Sequence, residues 1–220
     1  MSTPASPTTP KIAGIILAAG ESSRMGRDKS LLPLGERTFL EHLAAMLDGE
    51  VEPLIVVLGH HAAEIEHQVR LPSSAQILRN PNYHLGQLSS LHVALRSLAG
   101  RSVDGALVCL VDHPALTKQV VRTLVLKFRQ SQSSILIPTW RGRRGHPVLF
   151  SSRLFEELLE APMDQGARAI VRRHPEDVGL VEVEEEGIIW DVDRPEDYAA
   201  LQDRWSSVNR VKSAPFEQHS

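Results

Sequence analysis

The segment Leu17-Ala18-Ala19-Gly20-Glu21-Ser22-Ser23-Arg24-Met25-Gly26-Arg27-Asp28-Lys29 carries the densest chemical signal in the chain. Small residues at 18–20 let backbone N–H groups approach an anion that bulkier side chains would shield. Arg24 and Lys29 add two fixed positive charges to the same loop. The apolar run Ile12–Leu17 leading into it reads as a buried strand. Strand, small-residue loop and paired cations make a cradle for a triphosphate. Two better-known phosphate loops are excluded by spacing. A Walker loop has four residues between its glycines and Lys-Ser/Thr directly after the second. Here five residues separate Gly20 from Gly26, and two more precede Lys29-Ser30. The G-x-G-x-x-G dinucleotide pattern is absent from residues 14–26.

A polyanion cradle used for catalysis calls for a cation, and Mg²⁺ favours one or two carboxylates completed by phosphate oxygens and water. Asp112 is the leading ligand, because it follows the apolar run Ala106–Val111 and Pro114 stiffens the loop leaving it. An Asx turn or a helix cap near Thr117 would employ the same aspartate structurally. A second carboxylate is available in Asp191-Val192-Asp193, where strand alternation would send both acids to one face. The following Arg194-Pro195-Glu196 also resembles a helix start, a structural use for Asp193. The ten histidines show no His-Glu-x-x-His spacing, and the adjacent pair His60-His61 cannot aim both rings at one ion from a regular strand or helix. His146, between the turn 141–145 and an apolar run, could serve either a substrate or the structure. The single cysteine, Cys109, sits within an apolar run and reads as a buried free thiol suited to a reducing cytoplasm.

With these residues in view, the chain resembles the MobA/MocA-like nucleotidyltransferases. Leu17-Ala-Ala-Gly-x-Ser-x-Arg-Met-Gly-x-x-Lys29 looks like their nucleotide loop. Asn80-Pro81, Gly86-Gln87, Ser89-Ser90, Leu110-Val111-Asp112-His113-Pro114, Arg144-Gly145-His146-Pro147, Asp164-Gln165-Gly166-Ala167-Arg168 and Asp191-Val192-Asp193-Arg194-Pro195 follow in order. Within the family it is most similar to the molybdenum cofactor cytidylyltransferases. The resemblance implies a Mg²⁺-dependent transfer of CMP from CTP to the phosphate of molybdopterin, with pyrophosphate leaving. By that resemblance Leu17, Ala18, Ala19, Gly20, Ser22, Gly59, Asn80, Gly86 and Ser90 hold the nucleotide with Arg24 and Lys29. Arg24, Lys29 and Asp112 are the implied catalytic residues. Asp193 is the favoured second metal ligand and Asp191 the next. His113, Arg144, Gly145, His146, Pro147, Asp164 and Arg168 face the second substrate. His113 stands where Gln or Met is commoner, and Met163 replaces a usual Gly. CTP is preferred over GTP or ATP because guanylyltransferases place Gly at position 19. A sugar-phosphate or alcohol-phosphate nucleotidylyltransferase shares the pattern, and a non-catalytic nucleotide-binding or chaperone module is a third reading. A molybdoenzyme or its chaperone is an implied protein partner.

The elements that must position these residues show in the apolar patterning. Short runs at Ile12–Leu17, Leu54–Leu58, Ala106–Val111, Ile135–Ile137 and Val148–Phe150 read as strands covered on both faces. Helical spacing lies between them: Thr38 and Glu41 form a capping box ahead of Phe39, Leu40, Leu43 and Leu47. Leu88, Leu91, Leu95 and Leu98, then Val121, Leu124, Val125 and Phe128, repeat the helical period. Alternating strand and helix predicts a three-layer, Rossmann-like α/β fold of the nucleotide-diphospho-sugar transferase type. Its sheet is mostly parallel, helices cover both faces, and ligands lie at the carboxyl ends of the strands. The expected extent is one domain over residues 11–205, with disordered tails at 1–10 and 206–220. A chain of 220 residues with 42% hydrophobic content suits such a fold. A net charge of −3 gives no general attraction to nucleic acid, and no apolar run reaches the roughly 18 residues of a membrane span. The expected location is the cytoplasm.

Overall fold

The computed structural model describes residues 10–213, with side chains as far as residue 207. The expected tail residues 1–9 and 214–220 lie outside the described residues. In chain order the elements begin with β1 (Ile12–Ala18), a hairpin of β2 (Pro33–Leu34) and β3 (Arg37–Thr38), α1 (Phe39–Leu47), β4 (Leu54–Leu58), α2 (Ala62–Gln68), β5 (Ala75–Arg79) and α3 (Gln87–Ser97). They continue with β6 (Gly105–Leu110), α4 (Lys118–Gln130), β7 (Ile135–Trp140), β8 (Arg143–Arg144), β9 (Val148–Ser151), α5 (Phe155–Glu160), α6 (Arg168–Arg173), β10 (Val178–Glu182) and α7 (Pro195–Ser213). The last helix runs through 206–213, where the sequence had suggested a tail.

The main sheet has the order β10-β7-β9-β6-β1-β4-β5, with β8 added to β7. β1 lies in its interior, parallel to both β4 and β6, and β4 is parallel to β5. β9 is antiparallel to both β6 and β7 and so interrupts the parallel pattern. Its direction follows from the tight reversal at Arg141-Gly142, both at positive φ, which returns the chain through β8.

Successive side chains of β1 enter opposite cores. Ile12, Ile16 and Ala18 pack with α1, α2 and α4, whereas Ala13, Ile15 and Leu17 pack with α3, α5 and α6. This is why the central strands read as unbroken apolar runs: neither face meets water. Edge strands β5 and β10 carry polar residues and gave weaker signals in the sequence. A third cluster of Met25, Leu32, Leu34, Phe39, Ala115, Val192 and Leu201 ties the loop after β1 to the segment before α7. Among the described residues no helix is long and apolar enough to cross a membrane.

The capping box on α1 is complete: Glu41 N–H donates to Thr38 Oγ1 at 3.2 Å, and Thr38 N–H donates to Glu41 Oε2 at 2.8 Å. Thr38→Ala removes one of the two reciprocal bonds and should cost about 1 kcal/mol in a urea melt.

Candidate functional site

The loops at the carboxyl ends of β1, β5 and β6 enclose a cavity of about 250 Å³. Leu17, Ala19, Gly20, Ser22, Arg24, Lys29, Gly86, Ser90, Asp112 and Asp193, all named from sequence, line it. Ser23, Ser30, Tyr83, Gln87 and Val111 line it as well. Gln87 had a sequence signal in its place beside Gly86, but Tyr83 had none, because a short helical turn rather than a motif brings it there.

The glycine-containing loop is held from within. Ser22 adopts a left-handed conformation, its carbonyl accepts from the Met25 and Gly26 N–H groups, and its Oγ accepts from Lys29 N–H. Met25 then buries itself in the third cluster and anchors the loop. Gly59 also has a packing role. An added Cβ there would lie 2.6 Å from Tyr83 Cβ and 2.7 Å from Ala19 O, so glycine permits the β4 loop to close against the β1 loop. Ala18 and Asn80 also stand behind the cavity wall. Ala18 is buried in β1. Asn80 Nδ2 donates to Ser89 Oγ and Ser90 Oγ at 2.8 and 2.9 Å, while its Oδ1 accepts from Asn82 N–H. Asn80 is thus spent on shaping the turn that carries Tyr83 and Ser90.

Lys29 is 9% exposed, and its ammonium donates to Asp193 Oδ1 at 2.6 Å. The same nitrogen lies 3.7 Å from Asp112 Oδ2, and Arg24 pairs with Asp193 Oδ2 at 2.8 Å. The Lys29 hydrogen bond, outweighing partial burial, holds the Asp193 carboxyl below the usual aspartate range. Asp112 points the other way: its Oδ1 is buried without a hydrogen-bond partner among the described residues. One ligand atom each from Asp112, His113 and Asp191 fall within 4.8 Å of one another. Burial first, and Asp112 second, raises the Asp191 carboxyl above its ordinary value.

Segment 190–194 is not part of the sheet; a backbone bond from Val192 N–H to Asp112 O ties it to the loop after β6. Val192 is buried, and the acids on either side divide their partners: Asp191 joins Asp112, whereas Asp193 joins the two cations. The helix-start role suggested for Asp193 falls instead to Asp197, whose Oδ2 accepts from the N–H groups of Asp193 and Arg194. Thr117 caps α4 with its own hydroxyl, so that duty does not fall to Asp112.

Residues expected at a second substrate lie outside the cavity lining. The His113 and His146 rings lie 4.5 Å apart at a tilt of 41°, and each has a buried Nδ1 without a partner among the described residues. Burial, with His113 and Arg168 nearby, pushes the His146 pKa down to about 3, so its imidazole is neutral. Gly145 is fixed against the Ile188 carbonyl, which leaves no space for a Cβ, and Pro147 continues the same strap. Arg144 is exposed on β8, opposite Thr139 in the hairpin rather than in the cleft. Asp164 is exposed in the preceding loop, and Arg168 opens α6. Cys109 is buried in β6 with its thiol pushed far up by desolvation, which leaves it inert.

Residues 14–178 match the family model for the MobA-like NTP transferase domain. The chain belongs to that family. A probable molybdenum cofactor guanylyltransferase from Mycobacterium tuberculosis (strain ATCC 25618 / H37Rv) is 37% identical over 139 residues, which cover 62% of this chain and 66% of the relative. The crystal structure of an M. tuberculosis Rv0371c homologue from Mycobacterium sp. strain JC1 superposes with a TM-score of 0.77 at 29% identity, covering 90% of this chain and 98% of that one. Rv0371c of M. tuberculosis H37Rv in complex with manganese gives a TM-score of 0.71 at 26% identity, covering 89% and 100%. Membership fits the site: a nucleotidyltransferase domain presents cations and carboxylates to a triphosphate at the open end of its parallel strands.

The raised Asp191 carboxyl has a consequence for stability. At pH values above its folded pKa, ionised Asp191 costs the folded state; below the unfolded value near 3.8 both states are protonated and the cost vanishes. Asp191→Asn should therefore be more stable than the parent at about pH 7, and the gain should shrink at about pH 4.5. Urea melts at the two pH values measure both effects.

Proposed function

We propose that the protein transfers a nucleoside monophosphate from a nucleoside triphosphate to the phosphate of a molybdopterin-type cofactor, releasing pyrophosphate. One observation carries this reading: Lys29 and Arg24 stand at the glycine-containing loop, held by Asp193, with the unpaired Asp112 oxygen beside them. A site that only bound nucleotide would have no use for that buried carboxylate. The named activity of the mycobacterial relative supports the choice of acceptor. In this reading a phosphomonoester oxygen attacks the α-phosphorus in line and the bond to pyrophosphate breaks. Backbone N–H groups at 19–20 and the Ser22 and Ser23 hydroxyls orient the phosphates, while Lys29 and Arg24 leave Asp193 to meet the charge growing on the leaving group. Asp112 and Asp191, with His113 alongside, fit a divalent cation of the Mg²⁺ type, because their ligand atoms converge and one oxygen is unpaired. Such an ion, when bound, neutralises phosphate charge and fixes phosphate geometry. His146, being neutral, suits hydrogen bonding to polar ring edges, and Arg168 supplies the positive charge nearby.

For the nucleotide the proposal keeps CTP, on the strength of Ala19. Ala19 lines the cavity, and its Cβ packs so close to Gly59 that the wall there has little slack. GTP is the second reading, favoured by the name of the relative. One methyl group discriminates by only about 1–3 kcal/mol. Calorimetric titration of CTP, GTP and ATP with Mg²⁺ separates the two, and tighter GTP binding replaces the first with the second.

The activity itself is tested by measuring pyrophosphate release from the preferred nucleotide with molybdenum cofactor, glucose 1-phosphate or methylerythritol 4-phosphate as acceptor. Release is expected with the cofactor. Release only with a sugar or polyol phosphate would reassign the acceptor. Lys29→Ala should slow the step by about 10²–10³-fold, since the ammonium acts on charge that develops during reaction. A change confined to KM would restrict Lys29 to ground-state binding. Asp112→Ala should abolish turnover while the circular dichroism spectrum is retained.

A further inference from the structure

The adjacent histidines 60 and 61 were set aside in sequence because a regular element cannot aim neighbouring rings at one point. The structure evades that limit. His61 has φ 49°, a left-handed conformation, and the two rings lie 3.7 Å apart between centroids, tilted by 40°. Both Nδ1 atoms consequently face the Asp28 carboxylate: His61 Nδ1 lies 2.9 Å from Oδ2 and His60 Nδ1 lies 3.9 Å from Oδ1. Asp28 precedes the turn containing Lys29 but makes no side-chain cap to it, so its oxygens are turned to the histidines. His60 Nδ1 is buried and has no hydrogen-bond partner among the described residues. The ligand atoms of Asp28, His60 and His61 all lie within 4.8 Å of one another.

We propose that Asp28, His60 and His61 form a binding site for a transition-metal dication of the Zn²⁺, Co²⁺ or Ni²⁺ class, built from different residues than the Asp112–Asp191 pair. Ligand bonds of about 2.0–2.1 Å place neighbouring donor atoms roughly 3 to 3.5 Å apart around one ion. The observed 2.9 and 3.9 Å straddle that separation, so small rotations of the rings would close the site. Two imidazole nitrogens and one carboxylate favour borderline metals over Mg²⁺ or Ca²⁺, which prefer all-oxygen shells. The remaining coordination positions are open to water, as His61 is half exposed. The ion would join the loop after β1 to the loop after β4. These loops already touch through His60 N–H to Ala19 O at 3.1 Å, and Ala19 lines the nucleotide cavity. Occupancy would thus brace the wall of the nucleotide site without entering the reaction.

The test is Co²⁺ titration of untagged protein, followed by visible absorption, with Mg²⁺ in excess to occupy the carboxylate pair. Wild type and Asp112→Asn should both bind one Co²⁺ with the absorption of a nitrogen-containing shell. His60→Ala and His61→Asn should each weaken binding by more than the roughly 10–100-fold that loss of an outer-shell partner causes. Asn at 61 tolerates the left-handed conformation, which keeps the backbone in place. As a check independent of any variant, Zn²⁺ should shift the ring ¹⁵N signals of two histidines in wild-type protein labelled at histidine. The proposal is overturned if Co²⁺ binding survives in both histidine variants, if it disappears in Asp112→Asn, or if wild type shows neither Co²⁺ binding nor the histidine shifts.

Discussion

A lysine that is almost wholly buried must be compensated, and in this protein the compensation joins the two ends of the chain. The Lys29 ammonium sits 2.6 Å from Asp193 and 3.7 Å from Asp112. Removing the charge from water without these partners would cost several kcal/mol. The partners come from elements far apart in sequence, the end of β6 and the segment before α7, so the site exists only when the whole sheet has assembled. Met25, Val192 and Leu201 reinforce the same closure from the apolar side. The family model stops at residue 178, yet the carboxylates at 191 and 193 complete the arrangement. The extension beyond the matched region is therefore part of the functional unit.

Three carboxylates and two cations share this small volume, which explains why the acids behave differently. Asp193 is lowered because Lys29 donates to it, and Asp191 is raised because it is partly buried beside another acid. Equal treatment is physically excluded: Arg24 and Lys29 cannot neutralise all three at once. Asp112 and Asp191, which have only the more distant contact of Asp112 with Lys29, are the acids that would gain most from an added cation. Asp193 holds both cations at the cavity, and in the proposed reading a more highly charged anion would take its place. A shared backbone bond between Val192 and Asp112 sets this division, since it places the two acids of the later segment on either side of one contact.

The sequence made legible those features that depend on local pattern. The unbroken apolar run of β1 foretold a strand covered on both faces, the Thr38–Glu41 spacing foretold a capped helix, and the loop from Leu17 to Lys29 foretold the cavity. Tertiary features were hidden. Nothing local reveals that β9 runs antiparallel, because that follows from a two-residue reversal several positions earlier. The motif containing Asn80 marked it for the nucleotide but did not disclose that its side-chain amide also ties Ser89 and Ser90 together. The choice between Asp191 and Asp193 could not be made from alternation, which places both acids on one side. Their partners, Lys29 and Asp112, come from distant loops. His60 and His61 failed in the opposite sense, because one left-handed residue cancelled the regular geometry on which their exclusion rested.

The same reasoning explains why the nucleobase is harder to read than the phosphates. Phosphate recognition is written in charge and small residues, which survive as sequence signals. The cavity wall is set by steric closeness, with Ala19, Gly59 and Tyr83 packed so tightly that a single added Cβ at 59 would collide with the other two. Pocket width there depends on the sum of several sub-ångström placements, none of which a residue type alone specifies. In the proposed reading a methyl at position 19 would tilt the base preference by a modest amount, while the Lys29 ammonium, now paired with Asp193, would act on any triphosphate alike.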